Sequence, residues 1–321
     1  MKKQLKCILI TLLAASATWA SAQFPAPGKA ITIVNPYPPG GLGDMIARAV
    51  ARQMSDSLAT PVIVENKSGA NGAIGTAFVA RAQPDGYTIG SVPMSTLAIN
   101  PLIYKNLGYQ PQELTPLSQA VTFANILVVP ASLPVNSLAE LPPYMRANAA
   151  ALNFASQGNG SSGHLEGELL NQAVGARVTH VPYTGSAPAM QDLLSGKVQL
   201  MFETVPAAMP FIKSGRIKAL GVASATPQPQ APEVPPISTV LKGFEATNWI
   251  GMVAPPHLPP AIAAKLNEHI VRALHSPDVA RLAQERGVIV VGSTPEELAR
   301  VIAADTRKWG EVVREAKIKN D

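Results

Sequence analysis

The chain has 321 residues, of which 15% are charged and 47% hydrophobic, with 30 prolines and 24 glycines. This composition excludes an intrinsically disordered protein, which would need lower hydrophobicity and more charge. The formal charge of +5 would fall to about +2 without the first 22 residues, which contain three lysines and no acid, so we expect no nucleic-acid partner.

The first 22 residues have the pattern of an export signal. A start with three lysines precedes an apolar run over residues 7–15 and the small-residue motif Ala20-Ser21-Ala22. The apolar run is shorter than the ~20 residues that span a membrane. Cleavage would remove Cys7, the only cysteine, so we expect a soluble exported protein without disulfides or a reactive thiolate.

From residue 30 onwards, strand-like runs alternate with helix-like runs. Ile46, Val50 and Met54, for example, recur at intervals of four and share one helical face. The patterns predict strands over 30–34, 60–64, 87–90, 126–129, 152–155, 178–181, 198–202 and 217–223. They predict helices over 44–54, 74–81, 165–174, 187–194, 206–214, 260–276 and 295–315. This alternation is typical of mainly parallel sheets covered by helices.

The simplest division of these elements is two α/β lobes. We expect lobe 1 to comprise 23–123 and 248–321, and lobe 2 to comprise 124–247. The chain would then cross between the lobes twice, and about 300 residues are enough for two domains that each bury a core.

Three predicted strands run through turns rich in glycine or serine directly into helices. These strand–loop–helix segments are 34–44, 154–164 and 180–188. Ligands bind outside the carboxyl ends of parallel strands, and a helix N-terminus attracts an anion without basic side chains. None of the three loops contains Lys or Arg, which suits a carboxylate better than a triphosphate. Ordinary capped turns remain the alternative for each loop.

Other chemistries fit the loops less well. Gly158, Gly160 and Gly163 match the dinucleotide fingerprint, but no acidic residue follows about 20 positions later. Ser161 and Ser162 lack the G-x-S-x-G spacing of a hydrolase nucleophile. The histidines lack metal-ligand spacing, so we expect no metal and no cofactor.

Several short motifs occur in an order that resembles the Bug family, the periplasmic receptors of tripartite tricarboxylate transporters. They are Pro36-Tyr-Pro-Pro-Gly-Gly-x-x-Asp44, Glu65-Asn66, Gly69-Ala-Asn-Gly-Ala-Ile-Gly75, Pro84-Asp-Gly-Tyr87, Gly158-Asn-Gly-Ser161, His164-Leu165, Pro182-Tyr-Thr-Gly185, Ala187-Pro188, Trp249-x-Gly251 and Lys308-Trp-Gly310. The resemblance covers nearly the whole chain after residue 22. It implies a two-lobed periplasmic-binding-protein fold that closes on a small carboxylated solute.

The resemblance also implies the ligand-binding residues, which lie in four loops and on one strand. They are Tyr37, Pro38, Gly40, Gly41, Leu42, Asp44, Met94, Ser95, Thr96, Ser156, Gly158, Ser161, Ser162, His164, Tyr183, Thr184, Gly185, Ala187 and Glu203. Leu42-Gly43 stands where the family commonly has a hydroxyl pair, so the ligand part near Asp44 would be less polar or the loop would rely more on backbone amides.

Three functions follow as hypotheses. The first is a monomeric periplasmic receptor that presents a carboxylated solute to the membrane subunits of a tripartite tricarboxylate-type transporter. The second is an exported hydrolase or isomerase on the same scaffold with His164 or Asp44 as base, although no motif argues for an enzyme. The third is a receptor for a membrane sensor. Transport and sensing both need only ligand-driven closure, so the sequence does not separate them.

Overall fold

A computed structural model describes residues 24–319 as an α/β fold in which helices flank a mixed β-sheet. The predicted export signal lies outside the described residues. Among those residues, no helix combines the length and the apolar character that a membrane crossing requires.

The elements follow the predicted alternation closely. The strands are β1 (Ile31–Asn35), β2 (Val62–Asn66), β3 (Thr88–Pro93), β4 (Thr115–Pro130), β5 (Asn153–Ser156), β6 (Thr179–Pro182), β7 (Leu200–Thr204), β8 (Ile217–Val222), β9 (Thr247–Ala254) and β10 (Ile289–Val290). The helices are α1 (Leu42–Leu58), α2 (Ala73–Ala80), α3 (Asn100–Ile103), α4 (Leu141–Asn148), α5 (Ser162–Val174), α6 (Ser186–Leu194), α7 (Val205–Lys213), α8 (Pro260–Leu274), α9 (Pro277–Arg286) and α10 (Pro295–Ala316). A π-helical turn, Ser95–Ile99, precedes α3.

The sheet has the strand order β2-β1-β3-β9-β4-β7-β5-β6, with β8 and β10 also paired to β4. The pairs among β1, β2 and β3 and among β5, β6 and β7 are parallel, as predicted. The strands β8, β9 and β10 pair antiparallel with β4, and so does β7. The sheet is therefore mixed where the parallel groups meet.

The long strand β4 belongs to both parts of the sheet. It pairs with β9 up to Ala124 and with β7 from Asn125 onwards. We call residues 24–124 and 247–319 the first half and residues 125–246 the second half. The division into two lobes itself stays a prediction.

The halves share a core on one face of the sheet and have separate cores on the other. The shared cluster includes Leu97 and Trp309 of the first half and Phe154 and Leu165 of the second. On the opposite face, α1, α8 and α9 cover the first half, and α6 and α7 cover the second. This arrangement leaves a space between the starts of α1 and α7, beside the carboxyl end of β7.

The C-terminal helix α10 supports the shared face. A capping box of Thr294 and Glu297 fixes its start, because each side chain accepts a backbone N–H from the other residue. Its Asp305 accepts a hydrogen bond of 2.6 Å from the indole of Trp249 on β9, and the helix also packs on α5 of the second half. It therefore spans the junction between the halves.

Candidate ligand site

The first loop joins β1 to α1 and is held by Asp44. Its carboxylate accepts hydrogen bonds from the Gly40 amide at 3.0 Å, from Arg48 Nε at 3.0 Å and from Asn66 Nδ2 at 2.9 Å. Burial favours a higher pKa of Asp44, but these hydrogen bonds outweigh it and the pKa is lowered. Asp44 therefore stays ionised and faces its own loop.

The same loop exposes the start of α1. The N-cap residue is Gly41, and no side chain caps this helix end. The amides of the first turn therefore retain their capacity to bind an anion, and the helix dipole adds a partial positive charge. Pro38 and Gly40 are exposed beside this end, while Leu42 is half-buried.

Tyr37 connects the first loop to the segment after β3. Its hydroxyl donates to Asn71 Oδ1 at 3.0 Å and lies 3.3 Å from Ser95 Oγ, and burial raises its pKa. Met94 and Thr96, predicted beside Ser95, are both buried, and their role as ligand contacts stays a prediction. Sequence reasoning missed Asn71, although it stands in the glycine-rich motif after β2.

The second-half loop between β5 and α5 is braced by two histidines. His164 Nδ1 accepts the Gly160 amide at 3.1 Å, and its ring stacks on His180 with centroids 3.7 Å apart. Ser156 is fully buried and its hydroxyl lies 2.6 Å from His180 Nε2. Burial lowers the pKa of His164 to about 4 and that of His180 to about 3. Both imidazoles are therefore neutral and weak bases at neutral pH.

Ser161 caps α5, because its hydroxyl oxygen accepts the His164 amide at 3.3 Å. The hydroxyl hydrogen of Ser161 remains to donate to a ligand. The next residue, Ser162, lies 3.4 Å from Asn125 Nδ2 at the junction of the halves. Gly158 and Gly160 both have positive φ, which a side chain would strain.

Glu203 ties the remaining second-half loops together. Its carboxylate accepts hydrogen bonds from the Ser186 hydroxyl and from the Thr204 amide, the latter at 2.6 Å. Gln157 Nε2 approaches it at 3.4 Å. Thr184 in the loop before α6 and Ala187 in the first turn of α6 are exposed, and Gly185 caps that helix with φ of 111° and without a side-chain hydrogen bond. The Tyr183 hydroxyl donates a hydrogen bond to Asp192 Oδ2 at 2.8 Å.

The predicted site residues thus form two groups, one in each half. Within residues 24–319, no hydrogen bond joins the loop from Tyr37 to Asp44 to the predicted loops of the second half. The halves come close at Gly160, where an added Cβ would lie 2.4 Å from Ile103 Cδ1. The role of these residues as ligand contacts stays a prediction.

A cavity of about 310 Å³ lies between the halves at the start of α1. It is bounded by the first turns of α1 and α7, by β4 and by the end of α9. The lining residues are Leu42, Met45, Phe123, Ala124, Thr204, Pro206, Ala207, Arg286, Gly287 and Val288. Of these residues, only Leu42 was predicted to bind ligand. The lining segments are far apart in the sequence and come together only after β4 and α9 have packed into the fold.

A buried carboxyl group lies where the chain crosses between the halves. Glu166 is 1% exposed and accepts Asn125 Nδ2 of β4 at 2.8 Å and Asn248 Nδ2 of β9 at 2.9 Å. Burial raises its pKa to about 8 despite these hydrogen bonds. Glu166 therefore binds both crossing strands largely in its neutral form, a contact that sequence reasoning missed.

In the described part of the chain, no group of three or more His, Cys, Asp or Glu side chains is arranged to hold a metal ion. The chemistry available at the loops is hydrogen bonding by amides and hydroxyls, supplemented by helix dipoles.

The sequence matches the family model described as the tripartite tricarboxylate transporter family receptor over residues 46–318. It is 37% identical over 306 residues to the UPF0065 protein in the tcbD-tcbE intergenic region of Pseudomonas sp. strain P51, covering 94% of this chain and 91% of the relative. It is 36% identical over 302 residues to the protein BugT of Bordetella pertussis, covering 91% of each.

Solved structures show the same fold. The periplasmic binding protein BugD superposes with a TM-score of 0.76 at 34% identity, covering 92% of this chain and 100% of its own. Rpa4515 of R. palustris with adipate gives 0.78 at 33% identity, covering 91% and 99%. MatC of Rhodopseudomonas palustris with bound malate gives 0.75 at 31% identity, covering 90% and 100%.

Proposed function

The chain belongs to the receptor family of the tripartite tricarboxylate transporters, and from this premise we propose that it captures a small carboxylated solute between its halves and delivers it to the membrane subunits of such a transporter. We propose that it does so as a periplasmic monomer after removal of residues 1–22. The two halves would act as lobes that close on the solute.

The observation that carries this proposal is the start of α1. It faces the space between the halves with an uncapped N-terminus and an adjacent loop without Lys or Arg. Asp44 fixes that loop through the Gly40 amide, so the amides are ordered before a solute arrives. An ordered helix N-terminus binds a carboxylate with little reorganisation.

The second-half loops would supply the opposing contacts. Ser161 keeps a hydroxyl hydrogen to donate, and the exposed Thr184 and the uncapped start of α6 lie on the next loop. Asp44 and Glu203 would act on the solute indirectly, because their oxygens already accept hydrogen bonds from protein groups. The related structures that contain adipate and malate, both dicarboxylates, support this ligand class.

Thermal unfolding in the presence of carboxylates and their uncharged amides tests the proposal. A carboxylate at 100 times its dissociation constant should add about 2.7 kcal/mol of stability, while the matching amide should add much less. If neutral solutes stabilise the protein and no carboxylate does, the proposal that the start of α1 binds a carboxylate is wrong.

Uptake of the stabilising solute distinguishes transport from sensing. Deletion of the gene should abolish uptake of the labelled solute if the protein serves a transporter. Normal uptake together with lost solute-dependent gene expression would instead indicate a receptor for a membrane sensor.

The catalytic alternative has no specific support from the site. His164 already accepts the Gly160 amide, and its pKa of about 4 makes it a poor base at neutral pH. We expect the solute to remain chemically unchanged after prolonged incubation with the protein, as checked by mass spectrometry.

A further inference from the structure

The cavity between α1 and α7 differs from the predicted loops in its chemistry. Its walls are mainly hydrocarbon, from Leu42 and Met45 on one side and Pro206 and Ala207 on the other, with Phe123 behind them. Such walls offer few hydrogen bonds to hydroxyl groups of a solute. They favour methylene or ring carbons, because burial of each CH₂ group contributes about 0.8 kcal/mol.

One charged residue, Arg286, lines this cavity at the end of α9. Its side chain forms no hydrogen bond or ion pair with any other residue between 24 and 319. Guanidinium groups bind carboxylates through two parallel hydrogen bonds. Arg286 is therefore available to an anionic group that reaches the cavity wall.

The cavity also receives positive potential from two helices. Leu42 and Met45 lie in the first turn of α1, and Pro206 and Ala207 lie in the first turn of α7. Neither helix has a side-chain cap. The neighbouring acids do not cancel this potential fully, because Asp44 is paired with Arg48 and Glu203 accepts hydrogen bonds from Ser186 and Thr204.

The size of the cavity indicates how much of a solute it can cover. About 310 Å³ corresponds to roughly ten water molecules at about 30 Å³ each, and hence to room for about ten heavy atoms. A compact acid of four carbons would leave part of the apolar wall uncovered.

From these observations we infer that the cavity holds the hydrocarbon body of the solute, with Arg286 paired to a carboxylate at its far end. The ligand class is a dicarboxylate whose acid groups are separated by several methylenes or a ring. One carboxylate lies at the start of α1 and the other at Arg286. This inference rests on the proposed function, since it specifies the ligand of the same site.

Calorimetric titration with a series of acids tests the inference. The probes are succinate, adipate and suberate as straight dicarboxylates, hexanoate as a single acid, and malate as a hydroxylated acid. We expect affinity to rise about fourfold for each added methylene until the cavity is filled. Malate should bind more weakly than adipate.

Two variants assign the contacts. Arg286→Gln should weaken adipate binding about tenfold and change hexanoate binding less than twofold, while Arg281→Gln on the same helix, which does not line the cavity, should change neither. Leu42→Ser should weaken adipate and suberate several-fold more than it weakens succinate. Circular dichroism confirms that each variant is folded.

The outcomes separate the inference from the proposed function. If malate or succinate binds more tightly than adipate, and Arg286→Gln leaves all affinities unchanged, the inference is wrong while the receptor function stands. If no acid in the series or among other carboxylates binds, the proposed function itself fails.

Discussion

Two buried carboxyl groups, Asp44 of the first half and Glu166 of the second, follow similar loops but exist in opposite states. Each lies near the start of a helix that follows a strand and a glycine-rich turn, and each accepts a hydrogen bond from an asparagine. Asp44 also accepts hydrogen bonds from Arg48 and from a backbone amide, and its pKa is lowered. Glu166 receives only neutral amides, and its pKa rises to about 8.

The difference teaches that partners, more than burial, decide the charge of these groups. Asp44 is 4% exposed and Glu166 is 1% exposed, so burial disfavours the charged form of both carboxyl groups. A cation and a charge-assisted hydrogen bond compensate Asp44, whereas the hydrogen-bond donors to Glu166 are neutral and the charge of Lys308 lowers its pKa less than burial raises it. The first group orders an exposed loop by charge, and the second joins two crossing strands while uncharged.

The largest effect is expected from Asp44→Ala. It removes the acceptor of Gly40, Arg48 and Asn66, so the free energy of unfolding should fall by about 3 kcal/mol at pH 7. Binding of a stabilising carboxylate should weaken at least tenfold, because the amides at the start of α1 lose their support. Urea denaturation and calorimetry measure both effects. Asp56→Ala, an exposed change on the same helix, is the control, and equal losses in both variants would contradict the role of Asp44.

Glu166→Gln should act in the opposite direction. Because the pKa of Glu166 is raised from 4.5 to about 8, its contribution to stability is full below about pH 4.5 and is lost as the pH rises to about 8. The neutral amide removes this loss. Its oxygen keeps the hydrogen bond from Asn248, and its Nε2 donates to Asn125 Oδ1 once the Asn125 amide turns over; that oxygen has no hydrogen-bond partner among the described residues.

We therefore expect Glu166→Gln to raise the free energy of unfolding by about 2 kcal/mol at pH 8 and to leave it nearly unchanged at pH 4.5. Thermal unfolding from pH 4.5 to 8.5 measures the difference from the wild type. Glu311→Gln, at an exposed position of α10, should show no such trend. If the difference in stability between Glu166→Gln and the wild type stays constant from pH 4.5 to 8.5, Glu166 does not have a raised pKa.

Arg48→Met tests whether the cation keeps Asp44 ionised. The half-exposed ion pair should contribute about 1 kcal/mol at pH 7. Because a lowered pKa stabilises the fold above the unfolded value of 3.8, the variant should lose stability at a higher pH on acidification. Acid titration by circular dichroism measures the midpoint. If Arg48→Met unfolds at the same pH as the wild type and the control Arg52→Met, the amide donors of Gly40 and Asn66 are sufficient to keep Asp44 ionised.

The smallest effect is expected from His180→Phe, which keeps a ring against His164 and Phe154. The pKa of His180 is lowered from 6.5 to about 3, so the native state loses stability as the pH falls through this interval. Phenylalanine cannot be protonated, so between pH 6.5 and 5.5 the variant should lose less stability than the wild type, by about 1 kcal/mol. Parallel urea midpoints of both proteins at pH 7, 5 and 4 would contradict this.

Local patterns predicted eight of the ten strands and seven of the ten helices in residues 24–319, and missed β9, β10, α3, α4 and α9. The helix predicted over 295–315 is Pro295–Ala316, and the capping signal at Thr294 and Glu297 forms as expected. The strand predicted over 126–129 is only the end of β4, which starts at Thr115. The polar residues Ser118, Gln119 and Asn125 interrupt the apolar pattern of that strand, although the fold buries all three. The partner of Asn125, Glu166, lies 41 residues away in the chain.

The sequence by itself determined the family, the α/β elements and the loops that open onto helix N-termini, because these depend on short-range spacing and on backbone conformation. Only the tertiary structure decided that Asp44 faces its own loop, that Glu166 is neutral and that Arg286 meets Leu42 across a cavity. Glu166 and Asn248 are 82 residues apart. Charge state and cavity shape depend on such distant partners, and a local pattern carries no information about which of them will meet.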